Sequence, residues 1–325
     1  MPSALPIASH RSPSGGHEPV LVEEVLRLLA PAPGETVVDC TFGAGGHARH
    51  IAPHLGAGGL YIGIDQDPEA IAWFEDMSDS VECRTRFVRG NFADALAELA
   101  EEGVRADMVL MDLGLSSMQI DQPHRGFSYS RQAPLDMRMD PSRPHSAADL
   151  VADASEQDLT RIIRTYGEER YARQIARAIV RRRALAPITT TGDLVEVVRS
   201  AVPTPALFAG GHPARRVFQA LRIEVNHELE VLESGLESAF GLLAPGGRLA
   251  VISFHSLEDR MVKRFMRARS QGCICPPDMP VCGCGRVAEA DLLATKAQMP
   301  RRHEVERNPR AKPSRLRALR RRDTE

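Results

Sequence analysis

The stretch Val37-Val38-Asp39-Cys40-Thr41-Phe42-Gly43-Ala44-Gly45-Gly46-His47 decides the fold. A β-branched run ends in an acidic residue, a glycine-rich turn follows, and residues 48–55 are compatible with a helix. This order predicts the first strand, turn and helix of an open α/β sheet, with backbone N–H groups of the turn facing a nucleotide-like ligand. The alternative is a tight strand-to-helix turn that binds nothing.

Four further apolar runs predict strands. Three of them span residues 60–65, 86–88 and 107–112, and a fifth strand follows Pro245-Gly246-Gly247 and ends at Phe254. Strands that alternate with helical segments indicate a parallel sheet, whose ligands lie beyond the carboxyl ends of the strands. Asp39, Asp65, Phe92 and Asp112 all fall at such ends, which favours a ligand site there.

A different pattern interrupts the alternation. Residues 125–141 are irregular but rich in large apolar side chains, which is typical of a functional loop or lid. Helical periodicity follows at residues 147–151, 157–166, 170–183 and 192–201. We therefore divide the chain into a disordered leader (1–16), a sheet domain in two pieces (17–124 and 215–325), and a lid with an inserted helical subdomain (125–214).

Charge is unevenly distributed along this chain of 325 residues with a formal net charge of -2. Residues 160–226 carry 12 Lys and Arg against 5 Asp and Glu, and residues 296–325 carry 11 against 4. Such regions fit a polyanionic partner, although solvated helix faces and a disordered basic tail would give the same counts. No apolar run reaches the roughly 18 residues that span a membrane, and six cysteines fit a reducing cytosol.

Two classes of cofactor fit the glycine turn. Gly43-x-Gly45-x-x-Ala48 satisfies the dinucleotide pattern, so an NAD-dependent oxidoreductase is one interpretation. S-adenosylmethionine is favoured, because Asp39 can reach a positively charged amino acid group that a dinucleotide lacks. The Pro-Gly-Gly entry to the fifth strand also resembles class I methyltransferases. Thr41 stands where that class usually has the first glycine of Asp-x-Gly-x-Gly-x-Gly.

Several long motifs resemble those of the RsmH (MraW) family, and together they cover residues 17–317. They are Cys40-Thr41-Phe42-Gly43-Ala44-Gly45-Gly46-His47, Asp112-Leu113-Gly114-Leu115-Ser116-Ser117, Arg125-Gly126-Phe127-Ser128, Pro134-Leu135-Asp136-Met137-Arg138-Met139-Asp140, Thr165-Tyr166-Gly167-Glu168-Glu169-Arg170, Phe218-Gln219-Ala220-Leu221-Arg222-Ile223-Glu224-Val225-Asn226, Ile252-Ser253-Phe254-His255-Ser256-Leu257-Glu258-Asp259-Arg260 and Asn308-Pro309-Arg310-Ala311.

This resemblance implies a class I S-adenosylmethionine-dependent methyltransferase, with a Rossmann-like, mostly parallel sheet and an inserted helical subdomain. It also implies a cytosolic bacterial enzyme that methylates the N4 amine of a decoding-site cytidine in 16S rRNA of the small ribosomal subunit. The cofactor contacts it implies are Gly45, Gly46, His47, Asp65, Phe92, Asp112 and Gln119. A non-catalytic ribosome-assembly factor that binds RNA is the second alternative, and homodimerisation is left open.

The candidate catalytic residues lie at two strand ends. The lone pair of cytosine N4 is delocalised into the ring, so a hydrogen-bond acceptor would raise its nucleophilicity. Asp112 and Ser116 on one loop, and His255 at the fifth strand end, are the candidates. Stacking on a flipped base and binding of the phosphate backbone need further residues. For stacking we name Phe127, Tyr129 and Phe254, and for the backbone Arg215, Arg216 and Arg222.

Four cysteines form a separate motif, Cys273-x-Cys275-x6-Cys282-x-Cys284. Four thiolates can hold structural zinc, but the C-x-C spacing is shorter than a usual zinc knuckle. A stapled loop and four reduced cysteines in a surface hairpin are the other interpretations, so no metal ligand is assigned from the sequence.

Overall fold

The computed structural model describes residues 19–207, 211–276, 281 and 283–323. The expected leader at residues 1–16 lies outside the described residues. The described part contains seven strands in one sheet with the order β3-β2-β1-β4-β5-β7-β6. These strands are β1 (Thr36–Asp39), β2 (Leu60–Asp65), β3 (Arg84–Arg89), β4 (Ala106–Asp112), β5 (Leu243–Ser253), β6 (Ala290–Leu292) and β7 (Arg315–Arg321).

The first five strands are parallel, as the alternation with helices predicts. Only β7 is antiparallel to β5, and β6 is antiparallel to β7. From β1 the chain first adds strands on one side of the sheet (β2, β3) and then on the other (β4, β5). Ligands are expected at such a switch point, beyond the carboxyl ends of β1 and β4. The expectation of a mostly parallel, Rossmann-like sheet is confirmed.

Helices cover both faces of the sheet. On one face α1 and α3 pack against Val37, Tyr61 and Met108, and on the other α4, α12 and α13 pack against Val38 and Val109. Apolar side chains on both faces explain why the central strands read as continuous hydrophobic runs. The helices of this domain are α1 (Val22–Leu29), α2 (Ala48–Ile51), α3 (Ala70–Ser78), α4 (Phe92–Glu101), α5 (Ser117–Asp121), α12 (Glu228–Leu242), α13 (Ser256–Ser270) and α14 (Arg302–Arg307).

A second, all-helical unit has its own buried core. Its helices are α6 (Ala147–Asp153), α7 (Glu156–Gly167), α8 (Ala172–Arg183), α9 (Thr191–Ala201), α10 (Thr204–Leu207) and α11 (Arg215–Asn226). Val217, Phe218 and Leu221 of α11 are buried with this core rather than with the sheet. The helical unit therefore extends to Asn226, beyond the expected boundary at residue 214.

One residue separates the helical unit from the sheet domain. The sequence predicts a single amphipathic stretch over residues 215–243, but His227 adopts a left-handed conformation (φ 54°) that ends α11 and precedes α12. A left-handed residue cannot continue a right-handed helix. The two halves of the stretch consequently pack on different cores.

The basic segment near the carboxyl terminus is part of the sheet. Strand β7 lies between β5 and β6, with Leu316, Ala318 and Leu319 buried. The interpretation of residues 296–325 as a disordered tail is therefore wrong for this strand. Arg315 and Arg320 of this strand are exposed, and Arg317 pairs with Asp259 of α13 at 2.7 Å. Among the described residues, no helix is long and apolar enough to cross a membrane.

Candidate active site

A cleft of about 770 Å³, here called the main cleft, opens at the carboxyl ends of β1, β2, β4 and β5. Three carboxylates from three neighbouring strands line it, and the glycine turn forms part of its wall. The residues expected to contact a cofactor that line the cleft are Gly46, His47, Asp65, Phe92, Asp112 and Gln119. Gly45, the remaining one, lies between Ala44 and Gly46, which both line the cleft.

Two positions in the turn require glycine. Gly43 and Gly45 have φ values of +56° and +72°, where a side chain is strained. A Cβ on Gly45 would also lie 2.8 Å from the Phe42 ring. The backbone N–H of Gly43 donates to Asp65 Oδ2 at 2.7 Å, so the turn is held against the end of β2.

Thr41 accounts for the departure from the usual glycine pattern. Its Oγ1 accepts a hydrogen bond from the backbone N–H of Asp112 at 2.6 Å. A glycine at this position has no such acceptor. The hydroxyl therefore joins the end of β1 to the end of β4.

Asp39 is buried beneath the turn. Its carboxylate accepts hydrogen bonds from the Tyr61 hydroxyl at 2.7 Å and from the Thr41 N–H at 3.1 Å. Burial raises the pKa of Asp39, and these two hydrogen bonds oppose that change. Asp39 lines the main cleft, and its expected contact with a positively charged ligand group stays a prediction.

Asp65 stands at the carboxyl end of β2. Besides Gly43, it accepts a hydrogen bond from the Asp67 N–H at 2.8 Å. Burial raises the pKa of Asp65 to about 6, although both backbone hydrogen bonds favour the ionised form. Each carboxylate oxygen has a second lone pair, so ligand hydroxyls can still donate to this group.

His47 and Asp112 face each other across the cleft floor. His47 Nε2 lies 3.4 Å from Asp112 Oδ2. Burial disfavours charged His47, but the neighbouring Asp112 carboxylate outweighs it and the pKa of His47 is raised. His47 Nδ1 and Asp112 Oδ1 are both buried and have no hydrogen-bond partner among the described residues. Buried polar atoms without partners are uncommon and mark places where a ligand can bind.

A buried polar network behind the cleft was not anticipated from the sequence. Asp67 is fully buried, accepts a hydrogen bond from Gln119 Nε2 at 3.1 Å and forms an ion pair with Arg125 Nη1 at 2.9 Å. Arg125 also donates to the carbonyl of Met139 at 2.9 Å. Gln119 is thus held in place by the sheet domain, and the lid is joined to that domain through one guanidinium. In the sequence, Asp67-Pro68 is typical of the start of a helix, and nothing in it indicates a pairing with Arg125.

The lid is held from the other side by Asn226. Its Oδ1 accepts from the Met139 N–H at 2.8 Å, and its Nδ2 donates to the Met137 carbonyl at 2.8 Å. Both Met139 and Asn226 line the main cleft. Tyr129 and Met139 of the irregular segment at residues 125–141 thus line the cleft, and the role of this segment as a lid stays a prediction.

Two of the predicted catalytic residues cap helices. The Ser116 hydroxyl accepts from the Gln119 N–H at 3.3 Å in a capping box of α5. His255 is the N-cap of α13, and its Nε2 lies 3.1 Å from Glu258 Oε1. Ser116 lines the main cleft with Asp112, whereas His255 lines a neighbouring cavity. Burial disfavours the ionised Glu258 carboxylate, but His255 and other neighbouring groups favour it, and the pKa of Glu258 is lowered.

The three predicted RNA-binding arginines have different surroundings. Arg222 is largely buried and forms two hydrogen bonds of 2.7 Å with the Glu228 carboxylate. Its Nε and Nη2 are engaged in this pair, and its expected contact with phosphate stays a prediction. Arg215 and Arg216 are exposed. Arg216 approaches the Glu169 carboxylate at 3.7 Å and donates to the Glu168 carbonyl at 3.4 Å.

A second cavity of about 800 Å³, here called the basic cavity, lies beside the main cleft. Arg215, Phe254 and Pro313 line both, so the two spaces are contiguous. Cations from the helical unit, α13 and β7 surround the basic cavity. They include Arg170, Arg215, Arg216, Arg260, Lys263 and Arg315.

The three aromatic residues predicted to stack on a base lie in different surroundings. Phe127 is buried in the helical core, which leaves no face for stacking. Tyr129 lines the main cleft and stacks on His212 with ring centroids 4.6 Å apart. Phe254 is partly buried beside Gly114 and lines both cavities.

The mostly parallel sheet, with its cleft at the strand ends and a helical insertion, is that of a class I, Rossmann-like methyltransferase. Comparison with known families gives the finer assignment. The model of the MraW methylase family matches residues 14–322, and the chain belongs to this family. Membership makes the protein a methyltransferase and removes the oxidoreductase interpretation.

Curated relatives have similar lengths. The chain is 48% identical over 304 residues to the ribosomal RNA small subunit methyltransferase H of Heliobacterium modesticaldum, covering 93% of this chain and 97% of the relative. Proteins of the same name from Symbiobacterium thermophilum and Syntrophotalea carbinolica are 50% and 51% identical. They cover 93% and 94% of this chain, and 96% and 98% of the relatives.

Proposed function

We propose that this protein transfers a methyl group from S-adenosylmethionine to the exocyclic N4 of a cytidine in 16S rRNA of the small ribosomal subunit. One observation carries the proposal. Two buried polar atoms, His47 Nδ1 and Asp112 Oδ1, have no partner in the described chain and lie in a cleft with a glycine turn. The names of the curated relatives support the choice of substrate.

The cleft residues fit this methyl donor. The carboxylates of Asp39, Asp65 and Asp112 suit a ligand with a positive charge at its sulfonium and its amino group. Asp65 is placed to accept ribose hydroxyls, and Phe92 offers an apolar surface for the base. Gln119, held by Asp67, adds a fixed amide. When bound, S-adenosylmethionine supplies an already activated methyl group.

The protein's own residues position the cytosine and accept a hydrogen bond from its N4 amine. Asp112 Oδ1 can accept a hydrogen bond from N4 of cytosine, which draws the nitrogen lone pair out of the ring. The alternative role for Asp112 is contact with the methyl donor. Tyr129 and Phe254 line the cleft and are the proposed aromatic surfaces for an extruded base.

The basic cavity is the proposed path of the RNA backbone. It is contiguous with the main cleft, so phosphates next to the target cytidine can bind Arg215 and Arg216 while the base enters the cleft. Ser256 of α13 donates to Glu168 of the helical unit and fixes one wall of this cavity. The proposal places the enzyme in the cytoplasm with its ribosomal substrate.

The test is transfer of radiolabelled methyl from S-adenosylmethionine to small subunits from a strain that lacks the enzyme. Nucleoside analysis should find the label in N4-methylcytidine. Label in another nucleoside would reject the proposed target, and binding of subunits with no label would favour the non-catalytic assembly factor.

Calorimetry gives an independent test of the cofactor. S-adenosylmethionine and its demethylated product should bind with heats that Asp112→Ala abolishes. Absence of binding by the unmodified protein would contradict the proposed cofactor, whatever the RNA result.

A further inference from the structure

Three cysteine sulfur atoms cluster in the loop between α13 and β6. The Sγ atoms of Cys273, Cys275 and Cys284 all lie within 4.8 Å of one another. Cys273 Sγ and Cys284 Sγ are 3.7 Å apart, too far for a disulfide between these two residues. The cluster lines neither the main cleft nor the basic cavity, and the methyl transfer proposed above does not use it.

The separation of the sulfur atoms matches a metal site. Thiolates bound to Zn²⁺ lie about 2.3 Å from the ion in a tetrahedron, which puts neighbouring sulfurs about 3.8 Å apart. A disulfide requires about 2.05 Å between sulfurs. The measured 3.7 Å between Cys273 and Cys284 therefore agrees with two ligands of one ion.

The large apolar side chains described in this loop are exposed rather than packed into a core. Ile274, Val281 and Val287 are 55%, 75% and 72% exposed. The described contacts that hold the loop occur near its ends, where the Glu289 N–H donates to the Arg269 carbonyl at 2.9 Å and Arg286 donates to the Ala268 carbonyl. Small structures without a core are commonly held together by a structural metal.

We propose that Cys273, Cys275 and Cys284 bind a structural Zn²⁺ ion that folds this loop. Zinc suits thiolate ligands and a reducing compartment, in which a disulfide would not persist. Cys282 repeats the C-x-C spacing beside Cys284 but lies outside the described residues, so the argument rests on the other three. The ion has no part in the methyl-transfer reaction.

Metal analysis of the full-length protein tests the proposal. Protein purified under reducing conditions without chelator should contain about one zinc ion per chain, as structural sites hold a single ion. Cys273→Ser with Cys284→Ser should lose the zinc. Cys83→Ala is the matched control, because Cys83 is buried under β3 in the sheet domain and should leave the zinc content unchanged.

Two further measurements separate a zinc site from other causes. Cobalt substitution should give a thiolate-to-cobalt charge-transfer band in the unmodified protein and none in the double variant. A chelator should accelerate protease cleavage within residues 271–289, whereas binding of S-adenosylmethionine and far-ultraviolet circular dichroism stay unchanged. Unmodified protein that takes up no zinc after reconstitution, or a correctly folded double variant that keeps it, would overturn the proposal.

Discussion

The hydroxyl of Thr41 accepts a 2.6 Å hydrogen bond from the backbone N–H of Asp112. Thr41 follows β1 and Asp112 ends β4, so this side chain joins the glycine turn to the residue that carries the Asp112 carboxylate, in addition to the backbone pairing of the two strands. In the usual glycine pattern this link does not exist. Threonine at this position makes the turn less flexible than glycine would, and it helps to fix the position of Asp112.

Removing this acceptor should weaken the site. Thr41→Val keeps the shape but leaves the Asp112 N–H without a partner, which costs about 1–3 kcal/mol. We expect a lower melting temperature and weaker binding of S-adenosylmethionine by calorimetry. Thr41→Ser retains the hydroxyl and serves as the control. Equal affinities for Thr41→Val and the unmodified protein would show that the hydrogen bond does not position the site.

Asp65 should make cofactor binding depend on pH. Its pKa is raised from 3.8 to about 6 by burial, and ligand hydroxyls donate best to the ionised form. Affinity for S-adenosylmethionine should therefore increase as the pH rises through about 6. Calorimetric titrations between pH 5 and pH 8 measure it. Asp65→Asn should bind weakly with a flat profile, and the exposed Asp79→Asn should keep the original profile.

The Asp65 carboxyl should also make the free energy of unfolding depend on pH. This free energy should fall as the pH rises, whereas the cofactor affinity should increase. A carboxyl whose pKa is higher in the folded than in the unfolded state binds more protons when folded. Its contribution to stability is present below pH about 4 and is lost as the pH rises through about 6. Urea unfolding of the ligand-free protein across this range should show a decline that Asp65→Asn reduces. An identical decline in the variant would contradict the assignment.

The buried pair behind the cleft should be sensitive to loss of one partner. Arg125→Gln leaves Asp67 as an uncompensated buried charge, for which about 3–5 kcal/mol is typical. Urea unfolding should report a loss of this size, and Arg125→Gln with Asp67→Asn should recover part of it. Arg138→Gln removes a more exposed pair with Asp136 and should lose about 1 kcal/mol or less.

The basic cavity predicts a change in salt dependence. Arg215→Glu with Arg216→Glu should weaken binding to small subunits and flatten the slope of log K against log[salt], by roughly 0.7 per lost phosphate contact on single-stranded RNA. Filter binding at several salt concentrations measures the slope. Arg302→Glu, at a side chain 93% exposed on α14, is the matched control. Equal slopes for the double variant and this control would contradict the proposed RNA path.

The central sheet was predictable because its strands carry their own signals. The run at residues 60–65 is apolar and bounded by glycine and aspartate, and the structure has β2 over the same residues. Strand β7 was not predictable, since Arg315, Arg317 and Arg320 make it look like a basic tail. Its partner across the sheet, β5, lies about seventy residues earlier, and local sequence does not show that pairing.

The residues of the candidate site also fall into those that the sequence could predict and those that it could not. Residues on the glycine turn and at strand ends could be named, because parallel strands must bring their carboxyl ends together. Asp67, Arg125 and Asn226 could not, since each is placed by a partner on another element. The caps formed by Ser116 and His255 were missed for a related reason: a polar side chain at a strand end suits catalysis and helix capping equally.

The position of β7 has a consequence for how the protein is made. Strand β5, which leads into the Phe254 wall of the cleft, has its second neighbour only when the segment Arg315–Arg321 has been synthesised. Among the described residues, the apolar core of the helical unit uses no side chain beyond Asn226. On the translating ribosome, the helical unit can therefore fold early, whereas the sheet that lines the main cleft is completed only near the end of translation.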